Sequence, residues 1–173
     1  MKTLTEEKIN KIRKYPKKYN WYKLCKEYKL EEKFLIEFQN YVEWNTICVN
    51  QNLSFDFIYK FRHMINFFTI CYNKNFKLTE KEIEIILIDT KLTRADWTNF
   101  SFYYKLSENF INKYKDKVYW ANLFEQRSFE DFSKDFMDKN YQFLHRSTMK
   151  NEKFNTFLKE HGYLKPPNYL KTP

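Results

Sequence analysis

Aromatic residues recur at a fixed interval along this chain, and that interval constrains the fold more than any other feature. Six aromatic anchors form two series with a step of 23 residues: Trp21, Trp44, Phe67 and then Trp97, Trp120, Phe143. The two series are 30 residues apart, so the third repeat carries about seven extra residues. A repeat of this period indicates a stacked array of small supersecondary units.

Apolar residues recur at five further positions after each anchor. Plus three holds Leu24, Ile47, Ile70, Phe100 and Leu123. Plus nine holds Leu30, Leu53, Phe76, Leu106 and Phe129. Plus thirteen holds Phe34, Phe57 and Phe110, and plus fourteen holds Leu35, Ile58 and Ile111. Plus twenty-one holds Val42, Ile65, Val118 and Tyr141. These spacings place apolar residues on one face of each of two successive short helices.

Each repeat also has a helix start signal between its two helices. Ser54, Thr79 and Ser107 hold this place and are followed by acidic residues, as expected for an N-cap and the helix dipole. One repeat cannot bury its own apolar face, so neighbours must stack. We predict an all-α fold, a compact array of short tandem helical hairpins forming one domain at residues 1–162. An extended Pro- and Lys-containing tail at residues 163–173 follows it.

Three segments depart from the regular repeat. Residues 4–15 predict the second helix of a truncated first repeat, which Pro16 ends. In the third repeat KEIEIILI favours a helix over a buried strand, and the extra residues near 89–93 predict a loop or kink. Thr93 and Asp96 resemble a capping box there. Residues 143–161 keep only fragments of the pattern, as a terminal capping repeat does.

Composition indicates a folded, soluble, cytoplasmic protein. Hydrophobic residues make up 43% of the chain and aromatic residues 21%, too many for a disordered chain. No stretch has the length of a membrane-spanning helix, and the N-terminus lacks the apolar core of a signal peptide. We therefore expect no membrane partner.

Three cysteines share one repeat position, four residues after an anchor: Cys25, Cys48 and Cys71. Such a set can serve as metal ligands or redox sensors, or it can be a small buried residue packed between repeats. The odd count, the lack of CxxC and the lack of a nearby histidine argue against zinc. We predict that these thiols are reduced, metal-free and buried.

The pattern W-x-x-I/L-x-x-x-x-x-L-S-x-x-F-I resembles short tandem helical repeats in proteins of bacteriophages, giant viruses and some bacteria. The residues that carry it are Trp97, Leu106, Ser107, Phe110, Ile111, Val118 and Trp120, with poorer copies at Trp21, Trp44 and Phe67. The resemblance covers about residues 4–143. It implies an architecture and no catalytic residue. Small phage proteins of this size are often accessory factors, including inhibitors of host defence nucleases, so an anti-CRISPR type of activity is an expectation by analogy.

The sequence lacks the common catalytic and cofactor motifs. A single glycine excludes a Gly-rich phosphate loop and a nucleophile elbow, and we predict no catalytic residue, no cofactor and no metal site. The acidic run Glu80 to Glu84 has two interpretations. It is either a metal site completed by Asp89 or a solvated helix face with favourable N-terminal charge, and we favour the helix face. His145 beside Arg146 is the basis of a third hypothesis, a small RNase.

Positive charge is concentrated at the two ends of the chain. Residues 1–33 carry 11 basic and 5 acidic side chains, residues 34–138 carry 13 and 15, and residues 139–173 carry 7 and 2. Lysines interleaved with tyrosines are typical of phosphate contact and base stacking, although they also serve to solubilise an apolar protein. The candidate binding residues are Arg13, Lys14, Lys17, Lys18, Tyr19, Tyr22, Lys23, Arg146, Lys150, Lys153, Lys165 and Lys171.

The leading hypothesis is a non-enzymatic binding protein of phage or viral type. Its partner is a host protein or nucleoprotein, such as a CRISPR effector or its guide RNA. The alternative is a direct RNA- or DNA-binding protein without a protein target. Steep salt dependence distinguishes nucleic-acid binding from an aromatic protein interface. The sequence leaves the oligomeric state open.

Overall fold

The structure is a computed structural model that describes residues 1–148, 156, 159, 160 and 162. Within them the chain forms eleven α-helices: α1 Glu6–Lys14, α2 Trp21–Glu27, α3 Glu32–Glu37, α4 Trp44–Asn50, α5 Phe55–Lys60, α6 Phe67–Ile70, α7 Glu80–Asp89, α8 Arg94–Tyr103, α9 Glu108–Lys113, α10 Trp120–Gln126 and α11 Lys134–Thr148. Two 3-10 helices span Pro16–Lys18 and Phe129–Asp131. Two-residue strands β1 (Lys2–Thr3) and β2 (Tyr28–Lys29) pair in parallel. The predicted all-α array of short helices is confirmed.

The chain divides within α8 into two compact halves, Met1–Asp96 and Trp97–Pro173. In the N-terminal half the first helices of successive repeats stack, because α2 packs against α4 and α4 against α6. In the C-terminal half α10 packs against α11. The domain boundary at residue 162 stays a prediction, and the predicted tail at 163–173 lies outside the described residues.

The predicted helix starts and buried faces are confirmed in most repeats. Ser54, Thr79 and Ser107 each accept a hydrogen bond from the backbone N–H three residues later. Thr93 and Asp96 form a reciprocal capping box, and Thr93 Oγ1 accepts from Asp96 N at 3.2 Å. All the plus-fourteen residues are fully buried, and so are most of the plus-three residues. Among the first five anchors only Trp44 is half-buried; the others are buried.

The Phe67 repeat corrects one prediction of the apolar spacing. Two residues are inserted before its N-cap, so Leu78 directly precedes Thr79 and is buried. Phe76, the residue predicted for this place, is half-buried. Its second helix is α7 and not a strand, with Ile83 and Ile86 buried. The predicted loop lies between α7 and α8 at residues 90–93, and the remaining extra residues lengthen α7 to ten residues and start α8 three residues before Trp97.

In the Trp120 repeat the structure corrects two predicted positions, Phe129 and Phe143. The 3-10 helix Phe129–Asp131 adds three residues before Ser133, which caps α11 by accepting from Phe136 N at 3.1 Å. Phe132, rather than Phe129, is therefore the buried residue before the cap. Phe143 lies within the continuous α11 and starts no new helix, so the prediction that it is an anchor is wrong. Its ring stacks on Trp120 at 5.3 Å.

Position plus four connects each repeat to the next. Ser101, at this position in the C-terminal half, accepts a hydrogen bond from Tyr119 N at 2.8 Å. Cys25 and Cys48 interact in the same way with the backbone of Glu43 and Asn66, also 18 residues later. The predicted burial of all three cysteines is confirmed. A small side chain fits here in the Trp21, Trp44 and Trp97 repeats, where the next helix begins directly beside it, whereas the Trp120 repeat holds the large Phe124 at this position.

Two buried amides satisfy backbone groups between repeats in the N-terminal half. Gln51 accepts from Leu30 N at 2.9 Å and donates to the carbonyls of Cys25 and Tyr28. Asn73 donates to the carbonyls of Cys48 and Gln51. Because unpaired buried backbone groups are costly, these amides hold the repeats in register. The sequence pattern did not single them out.

Candidate nucleic-acid interface

The candidate interface is the N-terminal basic segment, residues 13–26, which spans the end of α1, the 3-10 helix and α2. Asn20 caps α2 by accepting from Lys23 N at 2.9 Å, and Pro16 begins the 3-10 helix, where its missing N–H costs nothing. Trp21 Nε1 donates to the Pro16 carbonyl at 2.9 Å. The turn between the two α-helices is thereby fixed at both ends.

Trp21 is the buried support of this segment. Its ring is 8% exposed and lies 5.2 Å from the ring of Phe38 and 5.6 Å from that of Tyr41. The indole therefore joins the turn to the core of the N-terminal half. The surface residues around the turn are presented on a rigid backbone rather than on a loose loop.

Four lysines of the segment make no ion pair with any described residue: Lys14, Lys17, Lys18 and Lys26. Residues 11–26 contain seven cationic side chains and no Asp or Glu. Three of the seven pair with carboxylates outside this stretch, Lys11 with Glu7, Arg13 with Glu37 and Lys23 with Glu27, so the unneutralised positive charge is that of the four lysines. Such a charge attracts phosphate groups.

Two exposed tyrosines lie among these lysines. Tyr15 is 46% exposed, with the ammonium of Lys18 at 4.6 Å and that of Lys14 at 5.4 Å from its ring centre. Tyr22 is 53% exposed, with Lys26 at 5.4 Å from its ring centre. All three distances fit cation–π contact. Exposed rings beside cations can stack on bases while the cations contact phosphate.

The other predicted residues of this segment are less available to contact a nucleic acid, because they are paired or partly buried. The Arg13 guanidinium donates to both carboxylate oxygens of Glu37, at 2.7 Å and 3.0 Å, and holds the pKa of Glu37 below its ordinary value. Lys23 lies 3.9 Å from Glu27, and Tyr19 is half-buried. The sequence pattern placed Tyr15 among the aromatic residues interleaved with the lysines but not among the candidate binding residues, and it did not select Lys26. The spacing of four residues between Tyr22 and Lys26 on one helix was the available signal.

The C-terminal part of the predicted surface is largely outside the described residues. Arg146 lies in α11, but its side chain is not described, and the same holds for His145 of the RNase hypothesis. Lys150, Lys153, Lys165 and Lys171 lie outside the described residues. These assignments stay predictions.

The N-terminal half also contains a cleft of about 820 Å³ beside the loop between α7 and α8. On its wall the Arg62 guanidinium lies 2.7 Å from Asp89, whose carboxylate also accepts from the Tyr59 hydroxyl at 3.0 Å. Burial raises the pKa of Asp89, but the hydrogen bonds from Arg62 and Tyr59 outweigh it and lower the pKa. The charges of this cleft neutralise one another, so it is the weaker candidate for an anionic partner.

Within the described part of the chain, no group of three or more His, Cys, Asp or Glu side chains is arranged to hold a metal ion. Over the same residues, no helix combines the length and apolarity needed to cross a membrane.

Comparison with known proteins gives no match. No protein-family model matches the chain. Neither curated proteins nor solved structures show a significant similarity to it.

Proposed function

We propose that this chain is a non-enzymatic binding protein whose N-terminal basic segment contacts the phosphate backbone of RNA or DNA. The observation that carries the proposal is the set of four lysines without acidic partners among the described residues, placed around a turn that Trp21 fixes. The backbone that carries these cations is already fixed by its hydrogen bonds, so little backbone entropy is lost when the lysines bind a polyanion. More of the electrostatic attraction therefore contributes to the binding affinity.

The resemblance to phage and viral repeats extends this proposal to a partner. The nucleic acid is the guide RNA of a host defence nuclease of the CRISPR type, and the protein inhibits that effector by occupying it. The alternative is direct binding to RNA or DNA with no protein target. The residues that act by contact are Lys14, Lys17 and Lys18, with Tyr22 and Lys26 beside them.

The first experiment measures fluorescence anisotropy of labelled RNA over a series of salt concentrations. Reversal of Lys14, Lys17 and Lys18 to glutamate should abolish binding at moderate salt. The matched control reverses three exposed lysines outside the segment, Lys60, Lys81 and Lys105, with the same change in net charge. It should retain most of the affinity, and equal losses in the two variants would show that only total charge matters. Thermal melting of each variant verifies its fold.

The second experiment separates the nucleoprotein from free nucleic acid. The chain is used to capture partners from host lysate, with and without nuclease treatment. A defence effector that is captured only with its RNA intact supports the leading proposal. Capture of bulk RNA alone supports the alternative, and capture that survives nuclease and the lysine reversals contradicts both. Deletion of residues 163–173 in the same assay tests the predicted contribution of the tail.

A further inference from the structure

Tyr15 occupies a repeat position whose ring elsewhere packs against an anchor at a tilt of about 40°. The equivalent residues, seventeen after their anchors, are Phe38, Phe61 and Tyr114. Their ring centres lie 5.2 Å from Trp21, 5.1 Å from Trp44 and 5.3 Å from Trp97. In three repeats, therefore, this position forms one half of an aromatic pair with an indole.

The backbone shows that Tyr15 is the fourth member of this set. Its N–H donates to the carbonyl four residues earlier at 3.1 Å, as those of Phe38, Phe61 and Tyr114 do at 3.0 to 3.1 Å. Its carbonyl accepts from the N–H three residues later at 3.0 Å, compared with 2.8 Å in the other three. The first repeat thus presents an aromatic ring at the same helix end, with the Tyr15 backbone (φ −140°, ψ 59°) rotated from that of the other three (φ −105° to −116°, ψ 20° to 28°).

The first repeat supplies no indole for this ring. Among the described residues Tyr15 has no aromatic partner, and it is 46% exposed. Lys11 also stands where Phe34, Phe57 and Phe110 line the anchor in the other repeats. Among the described residues no indole fills this position in the first repeat; the ammonium groups of Lys14 and Lys18 lie over the Tyr15 ring instead, at 5.4 Å and 4.6 Å from its centre.

We propose that an unpaired nucleobase stacks on Tyr15 in the place that an indole fills in the other repeats, and that the exposed side chains of Lys14 and Lys18 move off the ring to contact the adjoining phosphates. A nucleobase has the planar shape of an indole, and the two lysines favour an aromatic ligand that carries negative charge over a tryptophan from a protein partner. Bases in a duplex are already stacked, so the site selects single strands. This inference rests on the proposed function and names its substrate class.

The test compares binding of a labelled oligouridylate of about 12 nucleotides with binding of an RNA duplex of the same length. Tyr15→Ala should bind the single strand roughly tenfold more weakly, within the range measured for loss of one base–aromatic stack, and should bind the duplex unchanged. Tyr15→Trp should bind the single strand at least as tightly as the native chain. Tyr72→Ala is the matched control, because Tyr72 is 41% exposed and lies outside the basic segment.

Each outcome has a distinct meaning. Unchanged single-strand affinity in Tyr15→Ala, or an equal loss for duplex and single strand, overturns the stacking site. If the lysine reversals abolish binding while Tyr15→Ala does not, the proposed function stands and the stacking site falls. If the native chain binds neither RNA, both proposals fall. Circular dichroism of Tyr15→Ala confirms that a loss of affinity is not a loss of fold.

Discussion

The turn before Trp21 and the turn before Trp120 are closed by the same hydrogen bond, but the tyrosines that begin the two turns have different surroundings. Each indole N–H donates to the carbonyl five residues earlier, Pro16 in one case and Lys115 in the other. In the C-terminal half the tyrosine that opens the turn, Tyr114, packs on Trp97 and on Phe110. In the N-terminal half the corresponding Tyr15 is open to solvent.

The exposed side chains around the two turns also differ. Lys17, Tyr22 and Lys23 replace the equivalent Asp116, Ala121 and Asn122. The repeat therefore supplies the same turn in both places, with two lysines over the tyrosine ring in each: Lys14 and Lys18 over Tyr15, and Lys113 and Lys117 over Tyr114. The N-terminal copy differs in having no acidic residue within the turn and in leaving its tyrosine exposed. The comparison teaches that scaffold and surface are separable here, because the buried residues recur while the exposed ones change.

The largest expected effect is common to both turns. Trp21→Ala and Trp120→Ala should each lower the free energy of unfolding by about 3–5 kcal/mol, because each removes a buried ring and leaves a cavity. Urea unfolding at fixed pH measures the loss. Substitution by Phe, which keeps most of the ring but not the N–H donor, should cost less. A neutral Trp21→Ala would show that the N-terminal turn is not held by its indole.

The second prediction separates the two tyrosines. Tyr114→Ala should destabilise the fold by roughly 1–3 kcal/mol, since its half-buried ring contacts Trp97 and Phe110. Tyr15→Ala should change stability by no more than about 0.5 kcal/mol, as exposed positions do. Chemical unfolding of both variants decides the matter. Equal costs would mean that Tyr15 has a packing partner and is not free for a ligand.

The third prediction uses position plus four, which is cysteine in the N-terminal half and Ser101 in the other. Burial raises the pKa of the Cys48 thiol from its ordinary value of 9.0 to about 12. The unfolded chain releases this proton near pH 9 and the folded chain keeps it. Stability should therefore be constant below pH 9 and fall above it, by up to about 1.4 kcal/mol per pH unit from this thiol.

The measurement for Cys48 is urea unfolding at about pH 8 and about pH 10, in the native chain and in Cys48→Ser. Other groups titrate in this range, so the difference between the two proteins isolates the thiol. The native chain should lose more stability on going to the higher pH. Parallel losses, or rapid reaction of Cys48 with a thiol reagent in the folded state at pH 8, would contradict the buried, protonated thiol.

The smallest expected effect concerns Arg13, which the sequence placed in the binding surface. Because Glu37 already neutralises its guanidinium, removing the pair together, as Arg13→Gln with Glu37→Gln, should change RNA affinity by less than about twofold. The Lys14, Lys17 and Lys18 reversals should have a much larger effect. Anisotropy titrations at one salt concentration compare them. An effect of this double variant as large as the lysine effect would mean that the pair with Glu37 opens on binding.

The sequence predicted the local parts of the fold well. The period of the anchors, the caps at Ser54, Thr79 and Ser107, and the helical nature of residues 80–89 all depend on residues within one or two turns of each other. Helix periodicity and capping are properties of such short segments, so a sequence pattern records them directly. The basic segment was recognised for the same reason, because its lysines and tyrosines are neighbours in the chain.

Only the tertiary structure decided which of these residues are free. Arg13 meets Glu37 across 24 residues, and Gln51 meets Leu30 across 21, and neither contact has a signature in the repeat. The three-residue slip at Phe129–Asp131 removed Phe143 from the anchors, although its spacing in the sequence was correct. Exposure and charge pairing arise from contacts between distant segments, so the fold decides that Phe38, Phe61 and Tyr114 each pack against an indole while the ring of Tyr15 is left 46% exposed.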